Sequence, residues 1–244
     1  MPAIPQLTEL LQAGAHFGHQ TSKWHPKMKK YIFGSRNGIH IMNLEETQKS
    51  LETALVFAKK TSLRGGTILF VGTKKQAALL VEEAAKACNM PYVNKRWLGG
   101  TLTNFASMAQ LIRKYKEMKR RQEKGEYAKY TKFEQMKFAE QIKILDDKVG
   151  GIQELTRIPD AIFILDIRKD KTALEEAVRR GIKIIAVCDS NVNPTDVDYP
   201  IPANDDAVKA IRLIATTMAQ AIQEGREEWE VARARLGGSL VQPK

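Results

Sequence analysis

Cysteine is scarce in this sequence of 244 residues, which contains two, Cys88 and Cys188. No CxxC pair occurs, so spacing excludes a zinc site built from cysteines. Each cysteine ends an apolar stretch, and this position predicts a small buried side chain in a reducing compartment. A disulfide between the two is the alternative.

Long apolar segments are missing as well. No apolar run approaches the roughly 20 residues that a helix needs to cross a bilayer. The first residues, MPAIPQLTELLQAG, have neither a basic start nor a long apolar core, so we expect no secretory signal. A membrane is therefore not among the partners that the sequence predicts.

Fingerprints of catalysis and of nucleotide binding are also absent. The segment VGTKKQ follows an apolar run, but it lacks the second glycine of a P-loop, and no G-x-G-x-x-G occurs. There is no G-x-S-x-G elbow and no arrangement of Ser, His and Asp that supports nucleophilic catalysis. We expect no enzyme, no required cofactor and no small-molecule substrate. A nucleotide-dependent regulator on a Rossmann-like sheet is the alternative.

Positive charge is what the sequence has in excess. There are 39 Lys and Arg against 28 Asp and Glu, a formal net charge of +11. Residues 1–150 hold 26 basic and 13 acidic side chains, whereas residues 151–244 hold 13 and 15. Solubility alone does not explain why the positive charge is concentrated in residues 1–150. Binding of one face to a polyanion does explain this concentration, because each cation that neutralises a phosphate releases a counterion. The first 150 residues therefore predict an RNA-binding surface.

Basic and aromatic residues are close together in sequence in two clusters, SKWHPKMKK at residues 22–30 and NKRW at residues 94–97. Lys and Arg bind phosphates, while Trp and His stack on bases. The two lysines of VGTKKQ lie at a strand-to-helix turn, beside a predicted helix N-terminus that favours a phosphate. Solvated lysines and tryptophans packed in the core are the alternatives. The predicted RNA-binding residues are Lys23, Trp24, His25, Lys27, Lys29, Lys30, Arg36, Lys74, Lys75, Lys95, Arg96, Trp97, Arg113 and Lys114.

Residues of types that bind metals occur in two further segments. HFGHQ places His16 and His19 three residues apart, and CDSNVNPTDVDYPIPANDD supplies five aspartates at and after a predicted strand end. One interpretation is a divalent cation, Mg²⁺ or Zn²⁺, bound by His16, Asp189 and Asp205. The other is turn chemistry, with Asp205 as the N-cap of a helix.

Apolar runs alternate with amphipathic segments along the chain. We predict strands at residues 67–71, 161–165 and 182–188, and helices at residues 7–13, 44–62, 73–89, 171–180 and from 205 to about 224. Residues 16–43 are predicted to be rich in loops. Strands that alternate with helices indicate a parallel sheet with helices on both faces.

Residues 104–150 interrupt this alternation. Two apolar patterns of helical period flank Gly125, and TKFE at residues 131–134 matches a capping box. We predict an antiparallel coiled-coil hairpin that is either a solvated projection or a surface for a partner. The predicted domains are a discontinuous α/β domain (1–103 and 151–230) with a basic N-terminal extension, the hairpin (104–150) and a flexible tail (231–244).

Several long motifs follow one another along the chain: AGAHFGHQTSKWHPKMKKYIFGSRNGIHIMNLEET, ILFVGTKKQA, RWLGGTLTNF, VGGI with IPDAIFILD, and DSNVNPTDVDYPIPANDDA. In this order they resemble the small-subunit ribosomal protein two (S-two) family, in its bacterial or organellar form. The resemblance spans nearly the whole chain, and RWLGGTLTN and the N-terminal stretch are highly specific.

The resemblance implies a three-layer, flavodoxin-like α/β fold with an inserted coiled-coil hairpin. It implies a place between the head and body of the small ribosomal subunit, with 16S-type rRNA and other small-subunit proteins as partners. It further implies a part in docking the mRNA-binding protein S-one for translation initiation, and no catalytic role. The expected location is the cytoplasm, with the plastid stroma as the alternative. Many members carry an acidic tail that we do not expect here.

Overall fold

The computed structural model describes residues 4–235, which form helices and strands in two sheets. The helices are α1 (Leu7–Gln12), α2 (Leu44–Leu63), α3 (Lys75–Ala87), α4 (Phe105–Glu123), α5 (Lys132–Val149), α6 (Lys171–Arg180) and α7 (Val208–Arg235). The strands are β1 (Phe17–Gln20), β2 (Ile32–Arg36), β3 (Ile39–Met42), β4 (Ile68–Val71), β5 (Tyr92–Val93), β6 (Ala161–Ile164), β7 (Lys183–Cys188) and β8 (Tyr199–Pro202).

The larger sheet is parallel throughout, with the strand order β5-β4-β6-β7-β8. Its three central strands were predicted from their apolar runs and are confirmed. The edge strands β5 and β8 were not predicted. β5 is two residues long, and β8 contains Pro200 and Pro202, which lack the N–H that a ladder requires and are tolerated at a sheet edge.

Two hydrophobic cores lie on opposite faces of this sheet. Along β4, Ile68 and Phe70 face a core built with α2, α3 and α7, while Leu69 and Val71 face a second core. The second core includes α6 and the bases of α4 and α5. Burial of each large apolar side chain contributes roughly 1.5–3 kcal/mol. The predicted three-layer α/β arrangement is therefore confirmed, and its strand order is consistent with a flavodoxin-like fold.

The N-terminal basic segment forms a second, antiparallel sheet with the order β1-β3-β2. The expectation of a loop-rich stretch is wrong here. β2 and β3 are joined at Asn37 and Gly38, which both have positive φ angles of 51° and 76°. Positive φ at both central residues is typical of the type I′ hairpin turn that Asn-Gly favours, so the dipeptide was a signal that the composition of the segment obscured.

The inserted helices α4 and α5 run side by side in opposite directions. The ring of Tyr127 stacks on that of Phe138, with centroids 4.4 Å apart, close to the turn between the helices. Nearer the sheet, the hydroxyl of Tyr115 donates to Asp146. The predicted capping box is present, since Thr131 and Glu134 bond reciprocally at the start of α5.

Helix boundaries differ from the prediction by one residue in α1 and α2, by two at each end of α3, and by more in α7. α3 begins at Lys75 rather than at residue 73. α7 begins at Val208, so Asp205 is not its N-cap; Asn204 Oδ1 instead accepts the N–H groups of Asp206 and Ala207. α7 continues to Arg235, which corrects the predicted tail over residues 231–235. Residues 236–244 lie outside the described residues.

Both cysteines are buried and free, one in each core. The disulfide alternative is therefore wrong. Burial raises the pKa of Cys88 to about 12, so its thiol stays protonated. No helix within residues 4–235 combines the length and apolarity that crossing a membrane requires.

Candidate nucleic-acid interface

The carboxyl edge of the parallel sheet brings together loops that are distant in sequence. Parallel strands end at the same edge, so the loops after β4, β5, β6 and β7 are neighbours there. The N-terminal segment packs against this edge, because the backbone N–H of His25 donates to the Ser190 carbonyl over 2.8 Å. We call the surface formed by residues 23–30, 73–76, 94–97 and 166–172 the basic edge.

Lys74 occupies the centre of this edge, and carboxylates surround it. Its Nζ donates to Asp205 Oδ1 over 2.8 Å and lies 2.7 Å from Asp206 Oδ1 and 3.2 Å from Asp166 Oδ2. Burial lowers the pKa of Lys74, but the hydrogen bonds to Asp205 and Asp206 outweigh burial and hold this pKa above its ordinary value. The ammonium is engaged within the protein, so the predicted RNA contact of Lys74 is corrected.

Trp97 is a core residue rather than an exposed stacking surface. Its side chain is 8% exposed, and its indole N–H donates to Glu176 Oε1 over 3.0 Å. Glu176 also accepts the backbone N–H groups of Gly100, Leu102 and Thr103. Core packing, the alternative stated for this tryptophan, is correct. The predicted contact of Trp97 with RNA is therefore wrong, because the ring is buried.

Burial raises the pKa of the Glu176 carboxyl, but the hydrogen bonds from Trp97 and from the backbone outweigh burial and lower it. Glu176 therefore stays charged and fixes the turn RWLGGT in place. Sequence reasoning missed this residue because nothing local in α6 signals a partner so far away along the chain.

Most of the other predicted basic residues are exposed and free of carboxylate partners. Lys95 is the exception, since it pairs with Asp147 of α5. Within residues 4–235, no ion pair involves Lys23, Lys27, Lys29, Lys30, Arg36, Lys75, Arg96, Arg113 or Lys114.

The aromatic members of the N-terminal cluster are partly accessible. Trp24 is 37% exposed, and its ring lies 5.3 Å from that of His40. His25 is half-buried, and its Nδ1 accepts the backbone N–H of Lys27. The Lys27 ammonium donates to Thr195 Oγ1 over 3.0 Å. The exposed indole of Trp24 is thus held beside exposed lysines, an arrangement suited to a nucleotide.

Sequence reasoning missed two cations of the basic edge that have no carboxylate partner within residues 4–235, Arg168 and Lys169, and also Lys171, which pairs with Glu175. Arg168 and Lys169 are both exposed, and both backbone N–H groups donate to Asp166 Oδ1. Nothing in the sequence signalled these cations, because residues 151–244 carry no net positive charge and the excess of basic residues lies in residues 1–150.

A histidine and three aspartates lie at the same edge. Nδ1 of His19 is 3.0 Å from Asp189 Oδ1, and Nε2 is 3.5 Å from Asp206 Oδ2. Ligand atoms of His19, Asp205 and Asp206 all lie within 4.8 Å of one another, the one such group among the described residues. The predicted set is therefore corrected in two members: the histidine is His19 rather than His16, and Asp206 joins Asp205 in this group, while Asp189 lies beside His19.

The physical reason is the local backbone. His19 lies in β1, whereas His16 belongs to the turn before that strand, so the two histidines are not held on one face by a regular element. The adjacent Asp189 carboxylate raises the pKa of His19, whereas burial lowers that of His16. Burial raises the pKa of Asp205 to about 6, and the charge of Asp166 acts in the same direction.

The cluster of His19 and the three aspartates offers imidazole nitrogen and carboxylate oxygen atoms, which are donor types that bind divalent cations. His19 Nδ1 is buried and approaches Asp189 without the angle of a hydrogen bond, and carboxylate oxygens surround it. Asp205 and Asp206 also bind the Lys74 ammonium, so an ion here competes with that positive charge.

Comparison with known proteins agrees with this description. Residues 10–225 match the family model described as ribosomal protein S2. The chain is 47% identical over 232 residues to the small ribosomal subunit protein uS2 of Dehalococcoides mccartyi, covering 95% of each chain. It is 46% identical over 225 residues to the uS2 protein of Coprothermobacter proteolyticus, covering 92% of this chain and 84% of the relative. The chain therefore belongs to the ribosomal protein S2 family in its bacterial form, a family of structural rather than catalytic proteins.

Proposed function

We propose that this protein is a structural constituent of the small ribosomal subunit in the cytoplasm, and that its basic edge binds 16S-type rRNA. The observation that carries this proposal is the concentration, at that edge, of exposed cations that have no carboxylate partner within residues 4–235. The uS2 relatives, which their name places in the small subunit, support the assignment.

The pairing state of each cation matters for the free energy of binding. A cation without a carboxylate partner neutralises a phosphate and releases counterions, and this release is the main source of nonspecific affinity. A paired cation such as Lys74 must first give up its carboxylates, so it contributes less. The affinity therefore comes from the lysines at residues 27–30 together with Lys75 and Arg96.

Co-sedimentation with small subunits that lack this protein tests the proposal. At low salt we expect the protein to bind to the subunits and to dissociate as salt rises, because counterion release makes the affinity fall with salt. A protein that stays in the supernatant at low salt would contradict the proposed function.

We also propose that a divalent cation binds at His19, Asp189, Asp205 and Asp206. Calorimetric titration with Zn²⁺ and with Mg²⁺ tests this. His19→Ala should abolish binding, while His16→Ala, a matched control three residues away, should leave it unchanged. Equal loss in both variants, or binding that survives His19→Ala, excludes the site.

A third proposal concerns the docking of the mRNA-binding protein S-one. The observation is the antiparallel sheet, on which Phe33 is 80% exposed and Phe17 is 48% exposed. Large apolar side chains held in solvent favour a protein partner over RNA phosphates. Phe33→Ala should reduce retention of S-one on subunits and leave rRNA binding intact. Leu79→Ala on α3, where Leu79 is 62% exposed, is the control. Retention equal to wild type in Phe33→Ala would exclude this surface.

A further inference from the structure

Two leucines of the first helix lie in solvent although the helix itself is packed against the protein. In α1, Leu10 is fully buried in the core that α2 also lines, whereas Leu7 is 38% exposed and Leu11 is 52% exposed. Residues four apart in a helix lie on the same face, so Leu7 and Leu11 form one apolar pair at the surface.

The helix that carries this pair is held in place by its neighbours. The backbone N–H of Gln6 donates to Glu9 Oε2 over 2.8 Å, within a capping box at the start of α1. The side chain of Gln48 in α2 donates to the Pro5 carbonyl over 2.9 Å. These bonds and the burial of Leu10 fix the exposed leucines, so a partner that covers them costs this chain little conformational entropy.

Carboxylates border the leucine pair on the side of α2. Glu45 and Glu52 lie three positions before and four positions after Gln48, so they share a face of α2 with the residue that contacts α1. Both are exposed, as is Glu9, and none of the three forms an ion pair within residues 4–235. We call this surface the leucine face, which consists of Leu7, Glu9, Leu11, Glu45 and Glu52.

The helix N-terminus explains only part of this negative charge. The first turn of a helix favours a carboxylate such as Glu45, but Glu52 lies in the middle of α2. Residues 4–20 contain no Lys or Arg, and residues 43–57 contain one, Lys49, which pairs with Glu46 over 3.1 Å. The leucine face is therefore negative in a protein whose net charge is +11.

This combination selects the class of partner. Unpaired carboxylates repel phosphates, so RNA is disfavoured here, in contrast to the basic edge. The same carboxylates attract lysines and arginines, and exposed leucines favour an apolar contact between such cations.

We propose that the leucine face docks a basic segment of a neighbouring protein in the small ribosomal subunit. An apolar side chain of that segment covers Leu7 and Leu11, and its lysines or arginines pair with the three carboxylates around them. An apolar centre with a polar rim is the usual anatomy of a protein interface. The inference rests on the proposed place in the small subunit but not on rRNA binding by the basic edge.

Photo-crosslinking from the leucine face tests the proposal. The variant Leu11→benzoylphenylalanine carries the photoreactive group in the full chain, and Val231→benzoylphenylalanine is the matched control, since Val231 is 51% exposed on α7. Both proteins are bound to small subunits that lack this protein, irradiated and digested with ribonuclease. Mass spectrometry identifies the crosslinked peptides, and melting of the free variants verifies that they are folded.

We expect the Leu11 variant to crosslink to a protein segment in which lysines and arginines outnumber acidic residues, and we expect this mass shift to survive ribonuclease. The control should not crosslink to that segment. A crosslink to RNA, a crosslink to a segment without excess basic residues, no crosslink, or the same segment captured by the control would overturn the proposal while the proposed function stands. If neither variant co-sediments with the subunits, the proposed function fails and this inference fails with it.

A charge reversal tests the carboxylates separately. In the Leu11 variant, the further change Glu52→Lys should lower the yield of the protein crosslink by roughly fivefold, because the new lysine repels the basic segment. Glu227→Lys is the control, since Glu227 is exposed on α7 and forms no ion pair within residues 4–235. Equal yields in the two variants would also overturn the proposal.

Discussion

Glu176 shows how one buried carboxylate can organise a loop. Five donors converge on it: the indole of Trp97, three backbone N–H groups and the hydroxyl of Thr103. A buried carboxylate is costly unless it is hydrogen-bonded, and removal of such an acceptor leaves buried donors unsatisfied. The loop that holds Arg96 therefore depends on a residue in α6.

Glu176→Gln should destabilise the fold by about 2–3 kcal/mol, because the amide has one accepting oxygen instead of two and so accepts fewer of these hydrogen bonds. Chemical denaturation at pH 7 measures the loss. Glu175→Gln is the control, since Glu175 is exposed and its pairing with Lys171 is loose at 3.6 Å. Equal unfolding midpoints for the two variants would exclude the anchoring role.

The shifted pKa of Glu176 predicts that the free energy of unfolding depends on pH. The pKa of Glu176 is lowered in the folded state, so its contribution to stability is complete above the ordinary glutamate pKa and is lost as pH falls through the lowered value. The difference in unfolding free energy between wild type and Glu176→Gln should therefore shrink when denaturation is repeated at acidic pH. A constant difference would show that Glu176 is not the titrating group.

At the scale of elements, apolar pattern and turn chemistry predicted different parts of the fold. The central strands and the helices of the α/β domain follow from their hydrophobic periods, and the start of α5 follows from its capping box. The antiparallel sheet was not predicted from the sequence, because its strands are short, Met42 alone among their residues is fully buried, and they carry no apolar run. β8 was hidden by its two prolines, which only its position at the edge makes acceptable.

Leu69→Asp should unfold the domain. Leu69 is fully buried in the centre of β4, and an unpaired charge there costs several kcal/mol. Thermal melting and soluble yield measure the effect. Leu79→Asp, ten residues later and 62% exposed on α3, should melt close to the wild-type protein. A soluble Leu69→Asp variant with the wild-type melting temperature would contradict the position assigned to β4.

The inserted helices offer a second test at this scale. We propose that α4 and α5 form a coiled-coil projection whose outer half contacts a partner in the subunit. Met108, Ile112 and Leu145 belong to the second core, so the base must be kept. Replacement of residues 120–138 by a short Gly-Ser linker should leave melting nearly unchanged and reduce incorporation into subunits. Full incorporation would show that the outer half is a solvated projection.

At the scale of the molecule, charge asymmetry predicted which half of the chain carries free cations but not which cations are free. Lys74 and Trp97 were assigned to RNA because their segments are basic, and their partners Asp205 and Glu176 lie more than a hundred and more than seventy residues away. Arg168 and Lys169 join the basic edge from the slightly acidic half. Ion pairing is set by tertiary structure, so net charge by segment cannot resolve it.

The triple variant Lys27→Ala/Lys29→Ala/Lys30→Ala should bind rRNA more weakly, with the slope of log K against log salt reduced by about 2, at roughly 0.7 for each contact. Filter binding at a series of salt concentrations measures the slope. The control Lys60→Ala/Arg64→Ala/Arg179→Ala removes the same charge from exposed positions outside the basic edge. An unaltered slope in the first variant would show that residues 27–30 face solvent in the complex.

The most direct test of the central claim is the amine reactivity of individual lysines, measured by mass spectrometry in the free protein and in assembled small subunits. Lys27, Lys29, Lys30 and Lys75 are exposed and form no ion pair with the described residues 4–235, so all four should be labelled in the free protein. We expect all four to become protected in the subunit. Equal labelling of these lysines in both states would contradict the assignment of the basic edge to rRNA.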